Sequence, residues 1–446
     1  MTRAARPPRP PLLPTLANLA PALFAAACAL VVWQVGWRGV DVPAQVYRAE
    51  LFRNHGFIAW DSGWYGGQYV LPYSVLFPLV ARTVGLYGAA TLAAGSATWA
   101  FGRMLRRYQR SAGTLGTWLF AVGTIAPVAI GQLPFLCGEA TGLLCLVAAG
   151  QRRRFLAGGL AAATSLLSPV AGAFLAMAAL AWALGHPGER ATRLRPLGLA
   201  AAAGLPLALV NVRYLQQGRF PFLALTMVIL VAACAVAVRL LPNAERVIRI
   251  GVVLYAGLAV ACFIVPNPLG GNVTRAGVAF GPGLAATLGW VHRRKLLLVL
   301  APTLLIWQLS PAVAGATART DPSSQRSYFG PLLAALDRGM PLGRVEIPTT
   351  RHHREAAYVA PHIPLARGWE RQLDIADNSL FYDDGELTAQ SYQRWLYDSG
   401  VTYVALPDVA LDYSATDEAA LLRRGLSYLE PIFHRDHWQV WSVLGS

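Results

Sequence analysis

Before Pro311 the acidic side chains are Asp41, Glu50, Asp61, Glu139, Glu189 and Glu245 and no others. Three of them, with His55, fall in one stretch, R-G-V-D-V-P-A-Q-V-Y-R-A-E-L-F-R-N-H-G-F-I-A-W-D-S-G-W-Y-G-G-Q-Y-V-L (Arg38–Leu71), directly after the first long apolar run. A chain so poor in carboxylates, placing several together where an apolar segment ends, points to chemistry at that place. Asp41 stands about four residues beyond the run, at a boundary between water and lipid. A carboxylate held there in a partly dry pocket has a pKa suited to taking a proton from a hydroxyl. The plainer reading makes it an exposed loop aspartate capping the short helix that Tyr47, Arg48, Glu50 and Phe52 suggest, with Pro43 in its first turn.

Asp61 is the rival base. It lies in W-D-S-G-W-Y-G-G-Q-Y (Trp60–Tyr69), where Trp60, Trp64 and Tyr65 offer ring faces that suit sugars and the glycines permit close approach. The alternative is an interfacial aromatic belt with a turn aspartate. Glu50 and His55 count with the substrate-facing residues of this stretch, although His55 in N-H-G also reads as a turn residue. Glu139, in G-Q-L-P-F-L-C-G-E-A, falls about two turns inside an apolar segment. A carboxylate at that depth needs a partner or a cavity. It either holds a divalent ion, Mg or Mn, together with Asp41, or pairs with an arginine such as Arg275.

Arg213, Arg219 and Arg275 sit in later loops on the side where basic residues are disfavoured. A guanidinium fork matches the oxygens of a lipid-linked phosphate, and Asn272 adds a donor beside Arg275. Contact with anionic headgroups explains the same arginines. Near the C-terminus, A-R-G-W-E-R-Q-L-D-I-A-D-N (Ala366–Asn378) places Arg367 and Trp369 where they would contact an acceptor or lid a site; a solvated loop tied by Arg–Asp pairs is the other reading.

The elements that must position these residues are apolar helices. The chain of 446 residues is 55% hydrophobic and 14% charged, with mean hydropathy +0.42; a soluble domain carries about 25% charged residues. The net charge of +15 comes from short arginine clusters between apolar runs. That is the positive-inside pattern, so we discount a nucleic-acid partner. Cys28, Cys137, Cys145, Cys234 and Cys262 all lie in apolar segments, which excludes a disulfide framework for the polar C-terminal part.

Residues 1–16 are basic, proline-rich and expected to be disordered. Residues 17–311 form the transmembrane domain, with about eleven spans by the length rule. The first span covers Ala17–Trp37 and leaves the N-terminus cytoplasmic. The outer first loop is 38–85, and its part from Tyr69 to Gly85 is expected to be interfacial or re-entrant. Leu86–Leu105, Leu115–Ile130 and Leu133–Gly150 follow. A pair over Phe155–Leu184 bends at Ser168-Pro169, and the last span ends near Pro311. The clusters Arg103–Arg110, Gln151–Arg154, Gly188–Arg195 and His292–Lys295 then all fall inside. Residues 312–446 contain most of the acids and short alternating runs (Thr402–Pro407, Trp438–Leu444). They read as a small α/β extracytoplasmic domain.

This arrangement resembles the GT-C superfamily of integral membrane glycosyltransferases. G-Q-L-P-F-L-C-G (Gly131–Gly138) and P-L-G-G-N-V-T-R (Pro268–Arg275) look like motifs of uncharacterised actinobacterial proteins of that type. The resemblance implies an inverting transfer at the outer face of a bacterial plasma membrane. A polyprenyl-phosphate sugar would be the donor and a cell-envelope glycan or glycolipid the acceptor. Asp41 would be the base and Arg275 would steady the leaving phosphate. The first loop lacks the adjacent acidic pair of some members, which keeps Asp61 in play. Two other readings stand beside this one: a transporter or flippase of a lipid-linked or small-molecule substrate, and a non-catalytic envelope scaffold.

Overall fold

A computed structural model describes residues 16–106, 108, 110–186, 190–214, 218–337 and 343–445. Residues 1–15 of the segment expected to be disordered lie outside them.

The N-terminal two thirds are helical: α1 (Leu16–Gln34), the polar α2 (Val42–His55), α3 (Phe77–Leu105), α4 (Arg110–Gly123), α5 (Ile125–Ile130), α6 (Leu133–Gly150), α7 (Arg154–Leu167), α8 (Pro169–Gly185), α9 (Arg190–Arg213), α10 (Ala224–Leu240), α11 (Arg246–Ile264), α12 (Thr274–His292) and α13 (Arg294–Thr317). Among the described residues five stretches are long and apolar enough to cross a membrane: Phe77–Leu105, Ser111–Ile130, Leu133–Gly150, Arg193–Arg213 and Arg246–Ile264. Residues 19–34, α7, α8 and α10 are apolar but shorter.

Small residues set the packing. Ala89, Ala90, Ala93, Ala94, Ala97 and Ala100 bury one side of α3, so α1 and α6 approach closely, as apolar helices without a hydrophobic driving force between them require. The breaks have local causes. Gly85 (φ 70°) divides α3 into a short arm, opened by Pro78, and a long helix. The arm falls where the interfacial segment was expected. Ser168, extended before Pro169, ends α7 and caps α8 by accepting from the Ala171 amide. Helix α13 carries Pro302 and Pro311 inside it and runs past the expected boundary at Pro311 to Thr317.

The first loop contains a two-residue hairpin, β1 (Trp60–Asp61) with β2 (Gln68–Tyr69). After α13 come α14 (Arg326–Leu336), β3 (Arg344–Glu346), α15 (Glu355–Tyr358), α16 (Arg371–Asp377), α17 (Ala389–Asp398), β4 (Val401–Pro407), α18 (Thr416–Arg423), β5 (Leu429–Arg435) and β6 (Trp438–Val443). The sheet order is β3-β4-β6-β5, parallel between β3 and β4 and antiparallel elsewhere. Alternation along β4 splits the lobe into two cores. Val404 and Leu406 face Tyr392 and Leu396 of α17 and Ala419 and Leu422 of α18. Tyr403 and Ala405 face Phe329, Leu332 and Leu336 of α14, and this second core also takes in Ala44, Tyr47 and Trp64 from the first loop. The loop is thus part of the lobe's interior.

Candidate functional site

The chain leaving α1 is pinned on two sides. The Gly39 amide donates to Ala129 O at 2.8 Å and the Asp41 amide to Ile130 O at 3.0 Å, holding the loop on the end of α5. From the lobe, Trp369 Nε1 donates to Val40 O at 2.6 Å and the Arg354 guanidinium to Arg38 O. Asp41 occupies the N-cap position of α2, yet its side chain makes no capping bond. The carboxylate turns instead to Arg275, with Oδ2 3.9 Å from Nη2. Only 6% of Asp41 is exposed. Burial pushes its carboxyl up to about 6, against the opposing charges of Arg275, His353 and Arg48. A base with that pKa is ready at neutral pH and still holds a proton usefully.

Arg275 leads into a cavity of about 250 Å³ bounded by α4, α5, α6, α12, α13 and the 3₁₀ turn Gly270–Val273. Its polar lining includes Gln132, Glu139, Asn272 and Arg275; Phe120, Phe135, Phe220, Pro127 and Val278 supply apolar wall. The Arg275 guanidinium lies 5.5 Å from the Phe135 ring centre, which restrains its head. Glu139 is buried, and its Oε1 has no hydrogen-bond partner. A cavity wall is one of the few places where such an atom is tolerated within apolar helices. Glu139, Asn272 and Arg275 therefore share one cavity, and Asp41 meets it through Arg275.

A divalent ion is a poorer match. Among the described residues no group of three or more His, Cys, Asp or Glu side chains is arranged to hold a metal ion, and Arg275, already beside Asp41, lines the cavity that holds Glu139. A guanidinium at that place opposes a second cation. The donor set does not fit a Mg or Mn site, and no step below passes through a metal.

The remaining candidates are placed elsewhere. Asp61 accepts from Tyr47 Oη at 2.8 Å and from the Gly63 amide at 3.0 Å, the geometry of a turn aspartate. Trp64 is fully buried and stacked on Tyr47 at 4.5 Å. Tyr65 donates to Glu370 O at 3.2 Å in the joint with the lobe. Trp64 is thereby withdrawn from any surface that a sugar could reach, and the Tyr65 hydroxyl is committed to the lobe. Trp60 stays 51% exposed. Glu50, paired with Arg53 at 3.7 Å, and His55 lie toward the far end of α2. Arg213 and Arg219 are exposed. Arg367 is enclosed by its own lobe, binding Asp374 at 2.8 Å and Glu418 at 3.2 Å with its guanidinium 3.9 Å from the Phe381 centre. Those pairs tie the segment together, so Arg367 cannot also meet an acceptor, whereas Trp369 holds the backbone next to Asp41.

Several neighbours of Asp41 carried no sequence signal. Arg48 is buried in α2, ion-paired with Glu370 of the lobe, and its guanidinium lies 3.6 Å from the Tyr73 ring centre. Gln45 Nε2 donates to Tyr73 Oη at 2.9 Å. His353 (φ 51°) sits between Glu355 at 3.7 Å and Asp412 at 3.6 Å. Burial works against its charged form, but the two carboxylates outweigh it and raise its pKa. The run H-H-R-E was visible; its proximity to residue 41 was not.

No protein-family model matches the chain, and no curated protein matches it in sequence. Among solved structures, the arabinofuranosyltransferase AftD from mycobacteria superposes with TM-score 0.51 at 16% identity, over 95% of this chain and 40% of AftD. The chain thus spans well under half of AftD's length. ArnT from Cupriavidus metallidurans, bound to undecaprenyl phosphate, superposes with TM-score 0.46 at 13% identity, over 95% of this chain and 98% of ArnT. The likeness to the mycobacterial structure shows that this chain shares its fold.

Proposed function

We propose that this chain transfers a sugar from a polyprenyl-phosphate donor to a hydroxyl of a cell-envelope glycan or glycolipid at the outer face of a bacterial plasma membrane. In this reading about eleven helices span the bilayer, the N-terminus is cytoplasmic, and the first loop and C-terminal lobe lie outside. One observation carries the proposal. Asp41 stands at a helix N-terminus without capping it, is buried, and is aimed at Arg275 on the wall of a cavity set among apolar helices. An aspartate with a merely structural role would cap the helix or find a close ion pair.

The chemistry follows from those groups. The donor phosphate takes the Arg275 guanidinium and the Asn272 amide. Its prenyl chain runs out along the apolar wall. The acceptor oxygen attacks the anomeric carbon from the face opposite the phosphate. As the new C–O bond forms, the C–O bond to phosphate breaks and the phosphate departs with the electron pair, steadied by Arg275. The hydroxyl proton passes to Asp41, and the anomeric configuration inverts.

The test is transfer by the full chain in lipid nanodiscs from a panel of radiolabelled polyprenyl-phosphate pentoses and hexoses. Asp41→Asn should lower the rate by about 10²- to 10⁴-fold, the range for loss of a general base, with donor binding kept. Full activity in that variant removes Asp41 as base, and no transfer by the native chain from any donor removes the reading.

A further inference from the structure

We propose that Trp60, Tyr69, Tyr214 and Arg213 form a platform for the acceptor, a glycan of several linked sugar rings, lying along the outer side of the site. The inference rests on the transferase reading for the word acceptor; the platform itself stands on geometry.

Trp60 and Tyr69 are paired across the β1–β2 hairpin with ring centres 5.0 Å apart. Tyr69 meets Tyr214 at the end of α9 at 5.1 Å, and the Arg213 guanidinium lies 5.1 Å from the Tyr214 ring. Three rings and a cation thus run in sequence across two elements far apart in the chain. Trp60 is 51% and Tyr69 36% exposed.

Such a row has a plainer explanation in a membrane protein, an interfacial belt, but a belt ring needs only the right depth and is free to turn. Trp60 is not free. Its indole lies close against Gly67 (φ 124°), where any Cβ would collide with the ring. The hairpin beneath it is tied down by Asp61 to Tyr47 and Gly63, and the turn that follows is tied to the lobe by Arg344 Nη1 on Ser62 O at 3.0 Å and the Leu365 amide on Gly63 O at 2.9 Å. A ring held against the hairpin and still half exposed is pre-organised to stack on the C–H face of a sugar, with little ordering left to do on binding.

The platform also has the right neighbours. Beyond Tyr214 the chain passes the lobe, Gly218 against Gln372 O, and then brings Phe220 into the cavity wall with Asn272 and Arg275. Asp61, next to Trp60, is bonded to Tyr47 on the helix that Asp41 opens. The Trp60 end of the row is thus tied to the helix that Asp41 opens. Arg213 at the other end offers hydrogen bonds to ring or hydroxyl oxygens.

The experiment measures binding separately from transfer. Full-length protein in nanodiscs is titrated with two neutral pentasaccharides, one of furanose and one of pyranose rings, by saturation-transfer NMR. At least one should bind the native chain. Trp60→Ala should weaken it about tenfold or more, as for removal of an anchoring aromatic. Gly67→Ala, which keeps the indole but displaces it, should weaken it too, and Trp60→Phe should fall between. In the transfer assay the same variants should raise the acceptor KM and leave the donor KM unchanged. Failure of both sugars to bind at any soluble concentration overturns the proposal, as does equal binding by Trp60→Ala. Strong quenching of Trp60 by brominated lipid, read as the difference from Trp60→Phe, marks a belt anchor and also overturns it. Glycan binding without transfer from any donor leaves the platform and removes the transferase reading; transfer with an unchanged acceptor KM does the reverse.

Discussion

Two opposing effects meet at Asp41. Burial disfavours its charge, while Arg275, then His353 and Arg48, favour it, and burial wins to give a value of about 6. The reactive form is the deprotonated one. Activity should therefore rise with pH through about 6 and level off above it, rather than rising near the ordinary aspartate value of about 4. Arg275→Gln removes the first of the opposing charges, so the acid limb of kcat/KM should move to higher pH. The donor KM should rise as well, because the same guanidinium is assigned to the phosphate. Arg275→Lys should restore the limb more than it restores donor binding, since an ammonium keeps the charge but not the fork. A pH–rate profile identical in all three proteins would contradict this account of the pair.

At the scale of elements, the site depends on how tightly the first loop is seated. Gly131 (φ 93°) lets α5 turn into α6 while α2 starts against it; a Cβ there would stand 2.5 Å from the Val42 amide nitrogen. Gly85 (φ 70°) has nothing within 4 Å of where its Cβ would be. Both alanine variants incur a positive-φ backbone cost, about 1–2 kcal/mol at the left-handed Gly131 and about 1–3 kcal/mol at Gly85, whose ψ of 166° suits glycine alone, but only Gly131→Ala also displaces the helix that Asp41 opens. Thermal unfolding should show both destabilised. Transfer should collapse in Gly131→Ala alone, and equal activity of the two would mean that α2 tolerates the shift. Helix α2 also shows why its role was hidden from the sequence. It buries Val42, Ala44, Gln45, Tyr47, Arg48, Ala49 and Phe52, residues spread around its circumference, because the lobe covers one side and the membrane helices another. A helix enclosed in this way shows no single apolar stripe to read.

For the molecule as a whole, the loop and the lobe form one body. Tyr47 and Trp64 belong to the lobe's core, Arg48 pairs with buried Glu370, and Trp369 holds Val40. The C-terminal segment 312–446 expressed alone should therefore fail to unfold cooperatively, since it lacks the rings that fill its own interior. Within the intact chain, Arg48→Met removes the guanidinium that ion-pairs with buried Glu370 and should cost about 3–5 kcal/mol. Limited proteolysis would read both, as cleavage in the lobe at protease levels that spare the native protein. An isolated segment with a sharp melting transition would show the lobe to be self-sufficient.

Local chemistry was legible in the sequence by itself. Ser168-Pro169, Gly131–Pro134 and Gly85 break helices through their own backbone geometry, so those breaks could be placed before any contact was known, whereas Pro302 and Pro311 remain inside α13. Short alternating runs at 402–407 and 438–444 marked strands for the same reason. The scarcity of acids singled out Asp41 and Glu139, because ionised groups are costly among apolar helices. Tertiary structure alone decided which of the loop's polar and aromatic groups are spent on structure. Asp61, Trp64 and Arg367 look as reactive in the sequence as Asp41, Trp60 and Arg275, and what separates them is the partner each one meets. Some of those partners are near in sequence, Tyr47 for Asp61 and Asp374 for Arg367, but the contacts that seat the loop in the lobe lie far along the chain, 322 residues in the case of Arg48 and Glu370. Spacing cannot report such a contact, because it comes from the whole chain packing at once.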